Sequence, residues 1–317
     1  MRVVLTDYAY DTLQPFNDVY QAARVEFIPL QCKNKQEIMQ ATEFADGVMT
    51  HYAHIDKEII DNLKNCKIII RSAVGVENID VEAAIQRGIP VANVPDYCIE
   101  EVSDYVILLL LASAKRFCML EQMVQRAEWD YAITKPSDTI HGKTLGLVGC
   151  GNIARAVARK AKVFDMDVIG CDPCVTEQEA TKYGIRLLPQ EKVLQYSDFL
   201  SLHAPLNRYT KHMINQETLS QMKPGAILIN TARGPLVDEQ ALREAVLSGH
   251  IAGAALDVLN EEPIRADSAL LGLEQIILTP HCAWYSETAM HTLLKSAAEE
   301  VVRALKGKPL HLSLIHI

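Results

Sequence analysis

The stretch Leu147-Val148-Gly149-Cys150-Gly151-Asn152-Ile153-Ala154 constrains this chain more than any other, because it closes an apolar run, opens a helical pattern and is followed one strand later by Asp172. Glycine at 149 lets the chain turn tightly, glycine at 151 lets backbone N–H groups approach a pyrophosphate, and the small Ala154 lets helix and strand pack closely. Phosphates then lie on a helix N-terminus, where unpaired N–H groups and the helix dipole favour anions. The bare G-x-G-x-x-[GA] pattern also occurs in plain glycine turns, so its surroundings decide. A strand over 144–149, an amphipathic stretch over 152–164, a second strand over 167–171 and the terminal Asp172 make one βαβ unit of the length that dinucleotide binding requires.

In many dinucleotide-binding chains this turn lies near the N-terminus, whereas here well over a hundred residues come first and carry strand and helix signals of their own. Strands are expected at 2–6, 25–30, 47–50, 68–73 and 90–93 with helical patterns between them, giving a separate α/β domain. A single helix is expected over 100–125, with an apolar centre buried at a domain or subunit junction. Further strands are expected near 199–203, 226–231, 252–256 and 276–278. No repeat, low-complexity tract or Gly/Ser linker interrupts the chain, so the domain boundary is a compact hinge.

Composition excludes several function classes. A chain of 317 residues that is 49% hydrophobic and 22% charged suits about two packed domains. The formal charge of −9 and the absence of a Lys/Arg run argue against a nucleic-acid partner. The longest apolar run, 106–112, is far short of a membrane span. The first seven residues, ending in Asp7, read as a strand rather than a secretory leader. Eight scattered cysteines then fit reduced thiols and a cytoplasmic location. Cys171 and Cys174 have C-x-x-C spacing, but no second pair completes a zinc site. Cys150 lies between the two glycines, where its thiol either approaches the pyrophosphate, with a redox role, or simply packs. His51 and His54 lack a third ligand and read as a loop pair, so no metal is expected.

A second constellation occupies the last third: Asn230-Thr231-Ala232-Arg233-Gly234, then Ala255-Leu256-Asp257-Val258 with Glu261-Glu262-Pro263, then Thr279-Pro280-His281. Each group follows an apolar strand, which places its polar residues at the carboxyl end of an open parallel sheet, where such sheets bind ligands. Arg233 can grip a carboxylate in bidentate fashion, as lysine cannot. His281 can exchange a proton near neutral pH, and a carboxylate beside it holds its tautomer and favours its charged form.

Together the turn at Gly149–Ala154, the Asn230–Gly234 segment running into Leu236-Val237-Asp238, the Leu256–Pro263 segment and Thr279-Pro280-His281 resemble the D-isomer-specific 2-hydroxyacid dehydrogenases. The likeness covers nearly the whole chain. Within that family it is most similar to the C-terminal-binding-protein branch, through Arg71 ahead of Gly75-Val76-Glu77-Asn78-Ile79-Asp80 and through His281-Cys282-Ala283-Trp284-Tyr285-Ser286-Glu287. The resemblance implies an α/β fold of two Rossmann-like domains with a cleft between them. A flavodoxin-like substrate domain, 1–99 with 287–317, is completed by a returning helix, and an NAD-binding domain, 100–286, is inserted into it.

For the site, the resemblance implies Arg233 on the substrate carboxylate and keto oxygen, Glu262 orienting His281, and His281 as the group that gives or takes the proton. It implies that NAD(H) is held by Gly149, Gly151, Asn152, Ile153, Asp172, Ala204, Pro205, Thr231, Ala232 and Asp257, with Asp172 on the adenosine ribose and Asp257 on the nicotinamide carboxamide. On the substrate side it implies Arg71 and the backbone of Val74 and Gly75, while Trp284 lines the space for the substrate's side chain. Ala73 stands where the family often has glycine. The expected reaction is hydride transfer with a small 2-oxo or 2-hydroxy acid. The alternative is an NAD(H)-sensing co-repressor-like binding protein with little turnover; a formate or phosphite dehydrogenase is weaker still. A homodimer built on the 100–125 helix and the arm bearing Trp129 and Tyr131 is expected. After Pro309 the sequence leaves the family pattern, and residues 310–317 are expected to have no function.

Overall fold

Short runs of Val, Ile and Leu alternate with amphipathic helical stretches along the chain, the pattern that builds parallel sheets covered on both faces. The structure is a computed structural model that describes residues 1–135 and 137–312. Two compact units emerge, Met1–Cys98 with Ser286–Ile317, and Ile99–Tyr285.

The first unit holds β1 (Arg2–Leu5), β2 (Glu26–Pro29), β3 (Gly47–Thr50), β4 (Ile69–Arg71) and β5 (Val91–Ala92). They form one parallel sheet in the order β2-β1-β3-β4-β5. This is the flavodoxin-like order, in which the strand order reverses between β1 and β3, whose carboxyl ends flank the switch point. One face packs on Phe16 and Tyr20 and on Leu293, Leu294, Ala297 and Val301 of the helix Glu287–Leu305. The other packs on Ile38, Ile59, Ile60 and Ala84. The helix starts where the Ser286 side chain accepts the Ala289 N–H at 2.9 Å, a local N-cap.

Beyond Pro309, residues Leu310–Leu312 are held against the first unit. Leu310 and Leu312 pack against the core of the first unit, and the N–H groups of His311 and Leu312 each donate to Oε1 of the buried Glu300 at 2.7 Å. A buried carboxylate that receives two amides is satisfied only while those residues stay in place. Residues 313–317 lie outside the described residues.

The second unit holds β6 (Thr144–Val148), β7 (Asp167–Cys171), β8 (Arg186–Leu187), β9 (Phe199–Leu202), β10 (Ala226–Asn230), β11 (Ile251–Leu256) and β12 (Ile276–Leu278). All are parallel, in the order β8-β7-β6-β9-β10-β11-β12. The order reverses between β6 and β9, the place where doubly wound sheets bind ligands. Register then does the rest. Val148 pairs with Cys171 and Leu202, so Gly149, Asp172 and His203 follow side by side; Asn230 pairs with Leu256 and Leu256 with Leu278, so Thr231, Asp257 and Thr279 do the same.

One helix prediction is corrected. The expected 100–125 helix is two, Ile99–Ala114 and Phe117–Gln125, broken at Arg116, whose φ is 48°. The Arg116 N–H turns back to the Ser113 carbonyl at 3.1 Å, and its guanidinium donates to the Ile133 carbonyl at 3.1 Å. Apolar residues lie on both sides of Lys115-Arg116, so periodicity alone joins the two pieces. Nor is the centre wholly buried within its unit: Val106, Leu109 and Leu110 are, while Leu108 and Phe117 are exposed.

Candidate active site

Gly149 has φ 91°, and a Cβ there would stand 2.8 Å from the His203 carbonyl carbon and oxygen, so both backbone conformation and the neighbouring strand end demand glycine. Gly151 differs. A Cβ on it would meet no heavy atom within 4 Å, so the protein's own packing does not require glycine, and the open space before the helix Asn152–Lys162 fits the close approach of a pyrophosphate. Asn152 is the first helical residue, Ile153 packs partly against the core, and Ala154 is fully buried.

The Cys150 peptide is fixed from both sides. Its N–H donates to Asp172 Oδ2 at 2.8 Å, and its carbonyl accepts from Arg155 Nε at 3.0 Å. Asp172 Oδ1 takes the Cys174 N–H at 2.8 Å. The Asp172 carboxylate, expected on the ribose, therefore also braces the glycine turn. The Cys150 side chain points into the sheet–helix core, against Gly170, and burial pushes its thiol up to about 12. Burial likewise raises Cys171 to about 11. Both stay protonated near neutral pH, and Cys150 packs in the core as the second of the two readings expects. Cys171 and Cys174 are free thiols. Across the switch point, His203 Nε2 lies 2.9 Å from Ser201 Oγ, and burial pushes this imidazole down to about 4. Ala204 is buried and Pro205 exposed behind it.

At the end of β10, the buried Asn230 folds the next residues into a tight loop. Its Nδ2 donates to the Arg233 carbonyl at 2.8 Å, and its Oδ1 accepts the Ala232 N–H at 3.0 Å. Thr231 Oγ1 is buried without a hydrogen-bond partner among the described residues. A buried orphan hydroxyl is costly, and it fits a polar group of a bound cofactor. The Arg233 guanidinium donates from Nη1 to the Ala232 carbonyl at 2.6 Å. A Cβ on Gly234 would stand 1.9 Å from the Leu259 carbonyl, so glycine alone lets the Arg233 loop and the Leu259–Asn260 backbone touch. That contact brings the loop bearing Glu262 to Arg233.

His281 Nδ1 lies 2.6 Å from Glu262 Oε2, and Glu262 Oε1 accepts the Leu259 N–H at 2.9 Å. Burial pushes the Glu262 carboxyl up, but hydrogen bonds from His281 and Leu259 and the positive charges of His281 and Arg233 outweigh it, leaving the group below the usual carboxylate value. With Nδ1 engaged by Glu262, Nε2 is the nitrogen available for proton exchange.

The segment carrying His281 is held by Asp257, which is buried. Its Oδ1 accepts the Thr279 hydroxyl at 2.6 Å and the Cys282 N–H at 3.0 Å, its Oδ2 the Ala283 N–H at 2.8 Å, and its carbonyl the His281 N–H at 2.8 Å. To the cofactor role expected for Asp257 the structure thus adds a brace. Cys282 Sγ donates to Tyr105 Oη at 3.3 Å, and burial pushes that phenol up to about 12. Trp284 is half-buried, edge-on to Tyr285 with ring centroids 5.6 Å apart.

In the first unit, Arg71 donates from Nε to the His51 carbonyl at 3.0 Å and from Nη1 to Glu77 at 2.8 Å. Val74 accepts through its carbonyl from Asn93 Nδ2, and Gly75 follows it in the same loop. His51 is a buried histidine with Nδ1 2.6 Å from Tyr10 Oη. Among the described residues no three His, Cys, Asp or Glu side chains converge to hold a metal.

Asn230 was named in the sequence as the start of its segment but given no role of its own, whereas Tyr105, inside an apolar helical run, gave no signal that distinguishes it from core.

Residues 107–283 match the D-isomer specific 2-hydroxyacid dehydrogenase, NAD binding domain. The chain belongs to this family. It is 38% identical over 279 residues to a glyoxylate reductase of Korarchaeum cryptofilum, covering 87% of this chain and 84% of that one. It is 37% identical over 276 residues to a D-3-phosphoglycerate dehydrogenase of Methanocaldococcus jannaschii, covering 86% of this chain but spanning only 52% of that protein. Among solved structures, an acyclic imino acid reductase in complex with NADPH and D-Arg superposes with a TM-score of 0.90 at 28% identity, over 99% of this chain and 100% of that one. The larger sheet with its glycine turn is thus the NAD-binding domain of a family of oxidoreductases.

Proposed function

We propose that the protein is a D-2-hydroxyacid dehydrogenase acting as a 2-oxo acid reductase, in which His281 Nε2 gives the substrate oxygen its proton in reduction and takes it back in oxidation. NAD(H), when bound, supplies or accepts the hydride exchanged with C2 of the substrate. Gly149, Gly151, Asn152, Ile153, Asp172, Ala204, Pro205, Thr231, Ala232 and Asp257 would hold it. The observation that carries this reading is the contact of His281 with Glu262 at 2.6 Å, with Arg233 close enough for its charge to lower the same carboxyl. Reduction needs the imidazolium, which the Glu262 carboxylate favours, and a positioned acid of this kind contributes roughly 10²- to 10⁴-fold in rate. Arg233 takes the substrate carboxylate through its planar fork. Arg71 and the backbone at Val74 and Gly75 are the substrate-side groups of the first unit.

Trp284 offers an apolar face to the substrate's side chain, so 2-oxo acids with extended aliphatic, thioether or aromatic groups are favoured over glyoxylate. The run from His281 to Glu287, with Arg71, supports a place near the C-terminal-binding-protein branch. Leu108, Phe117, Trp129 and Tyr131 are exposed, which supports a homodimer formed through these elements; light scattering checks it. Eight free thiols fit a reducing cytoplasm, and no helix among the described residues is long and apolar enough to cross a membrane.

Steady-state NADH consumption with a panel of 2-oxo acids tests the proposal. Turnover that His281→Ala abolishes supports it. NADH binding with no turnover on any 2-oxo acid would instead identify an NAD(H)-sensing binding protein.

A further inference from the structure

His281 has φ 53°, the left-handed region, and it is not glycine. For an L-residue that conformation costs about 1–2 kcal/mol, and it persists only where the surroundings over-determine it. The holding contacts are specific. On the amide side, the His281 N–H reaches the Asp257 carbonyl at 2.8 Å and the Thr279 carbonyl at 3.1 Å. On the following residues, the Cys282 and Ala283 N–H groups enter the Asp257 carboxylate. On the carbonyl side, the Trp284 indole reaches back and donates from Nε1 to the His281 carbonyl at 2.9 Å.

We propose that Trp284 is a positioning residue for the proton donor: its indole N–H locks the left-handed backbone of His281 and so sets the direction in which Nε2 points. This rests on the assignment of His281 as proton donor, and it differs from the contact of the Trp284 ring with substrate, because it uses one hydrogen on the ring rather than its apolar face. The frame is otherwise built on Asp257, which is aspartate for its acceptors, whereas the carbonyl side of His281 is reached by a donor whose reach and rigidity an indole supplies and a phenyl ring does not. A freed carbonyl lets the peptide after His281 rotate toward the ordinary right-handed region, which swings the imidazole away from Glu262.

The test replaces Trp284 site-specifically by 3-benzothienylalanine, in which sulfur stands for the indole N–H while ring shape and apolar face are kept. The expected result is a kcat lower by about fivefold, the size of one lost net hydrogen bond, with the KM for the 2-oxo acid and the Kd for NADH changed less than about twofold. In the cofactor-free protein, the ring signals of ¹³C-labelled His281 should broaden or split as the backbone samples a second conformation. Trp284→Phe, assayed with glyoxylate, which has no side chain to meet the ring, gives the same loss in kcat and serves if the analogue does not fold. A kcat within about 1.5-fold of the parent, or a loss confined to KM, overturns the inference in either variant. His281→Ala in parallel separates the two levels: if that variant keeps its turnover, the assignment of the proton donor falls, whatever the indole does.

Discussion

Replacing Glu262 by glutamine removes one charge at nearly constant shape, and the structure sets the size of the effect. The Glu262 and His281 side chains touch at 2.6 Å with relative exposures of 37% and 43%, so the pair lies at a wet surface rather than in a dry core. Charge centres about 4 Å apart interact by about 4 kcal/mol at an effective dielectric constant of 20. Exposure and salt reduce that to about 1–2 kcal/mol. The amide has two orientations, and neither offers the imidazolium a negatively charged acceptor. With its oxygen toward His281, the NH₂ faces the Leu259 N–H; with its oxygen toward Leu259, the NH₂ faces Nδ1, which must then be an unprotonated acceptor. Reduction needs the imidazolium, so the alkaline limb of kcat/KM for 2-oxo acid reduction moves to lower pH, and the acid limb of oxidation moves the same way. The assay is kcat/KM with NADH and a 2-oxo acid between about pH 5 and 9. An alkaline limb that stays in place, or moves up, refutes the pairing as the source of proton affinity.

Arg233→Lys loses the planar fork but keeps the charge, so KM for the 2-oxo acid rises by about 10- to 100-fold while the Kd for NADH holds; equal losses in both contradict the role given to Arg233. Asp172 repels a 2′-phosphate, and no arginine follows it, so kcat/KM with NADH exceeds that with NADPH; Asp172→Ser narrows the gap and also weakens NADH binding, because the Cys150 and Cys174 N–H groups lose their acceptor. His203 has its value depressed to about 4, so the unfolded chain takes up a proton first. Its stabilising contribution is complete above the ordinary histidine value and is lost as pH falls toward 4, by up to about 3 kcal/mol. Denaturant unfolding at about pH 7 and pH 4.5 should show a smaller acid loss in His203→Gln than in the parent.

What the sequence made legible was the chemistry anchored to strand ends. Apolar runs closed by a glycine turn, by Asn230, by Asp257 or by His281 announce their own carboxyl ends, and parallel pairing then aligns them without further information. Local packing was less legible. Arg116 breaks a helix through a contact with the Ile133 carbonyl, far along the chain, which no periodicity contains. β8 is two residues long and has no pattern to detect. Cys150 occupies a position next to the phosphate site in sequence, yet its side chain turns inward because Gly170 leaves room for the sulfur. The tail at Leu310–Leu312 departs from the family pattern, but the buried Glu300 captures its backbone, and a backbone partner can be any residue with an N–H group.

The central claim is a hydride delivered to C2 of a 2-oxo acid with a proton from His281. Reduction of a 2-oxo acid with NADH carrying deuterium at both C4 positions, followed by mass and chiral analysis of the product, tests it most directly. The account predicts one deuterium at C2 of the D-2-hydroxy acid, formed by the parent protein and not by His281→Ala. A product without deuterium at C2, a product of L configuration, or equal formation by His281→Ala would contradict it.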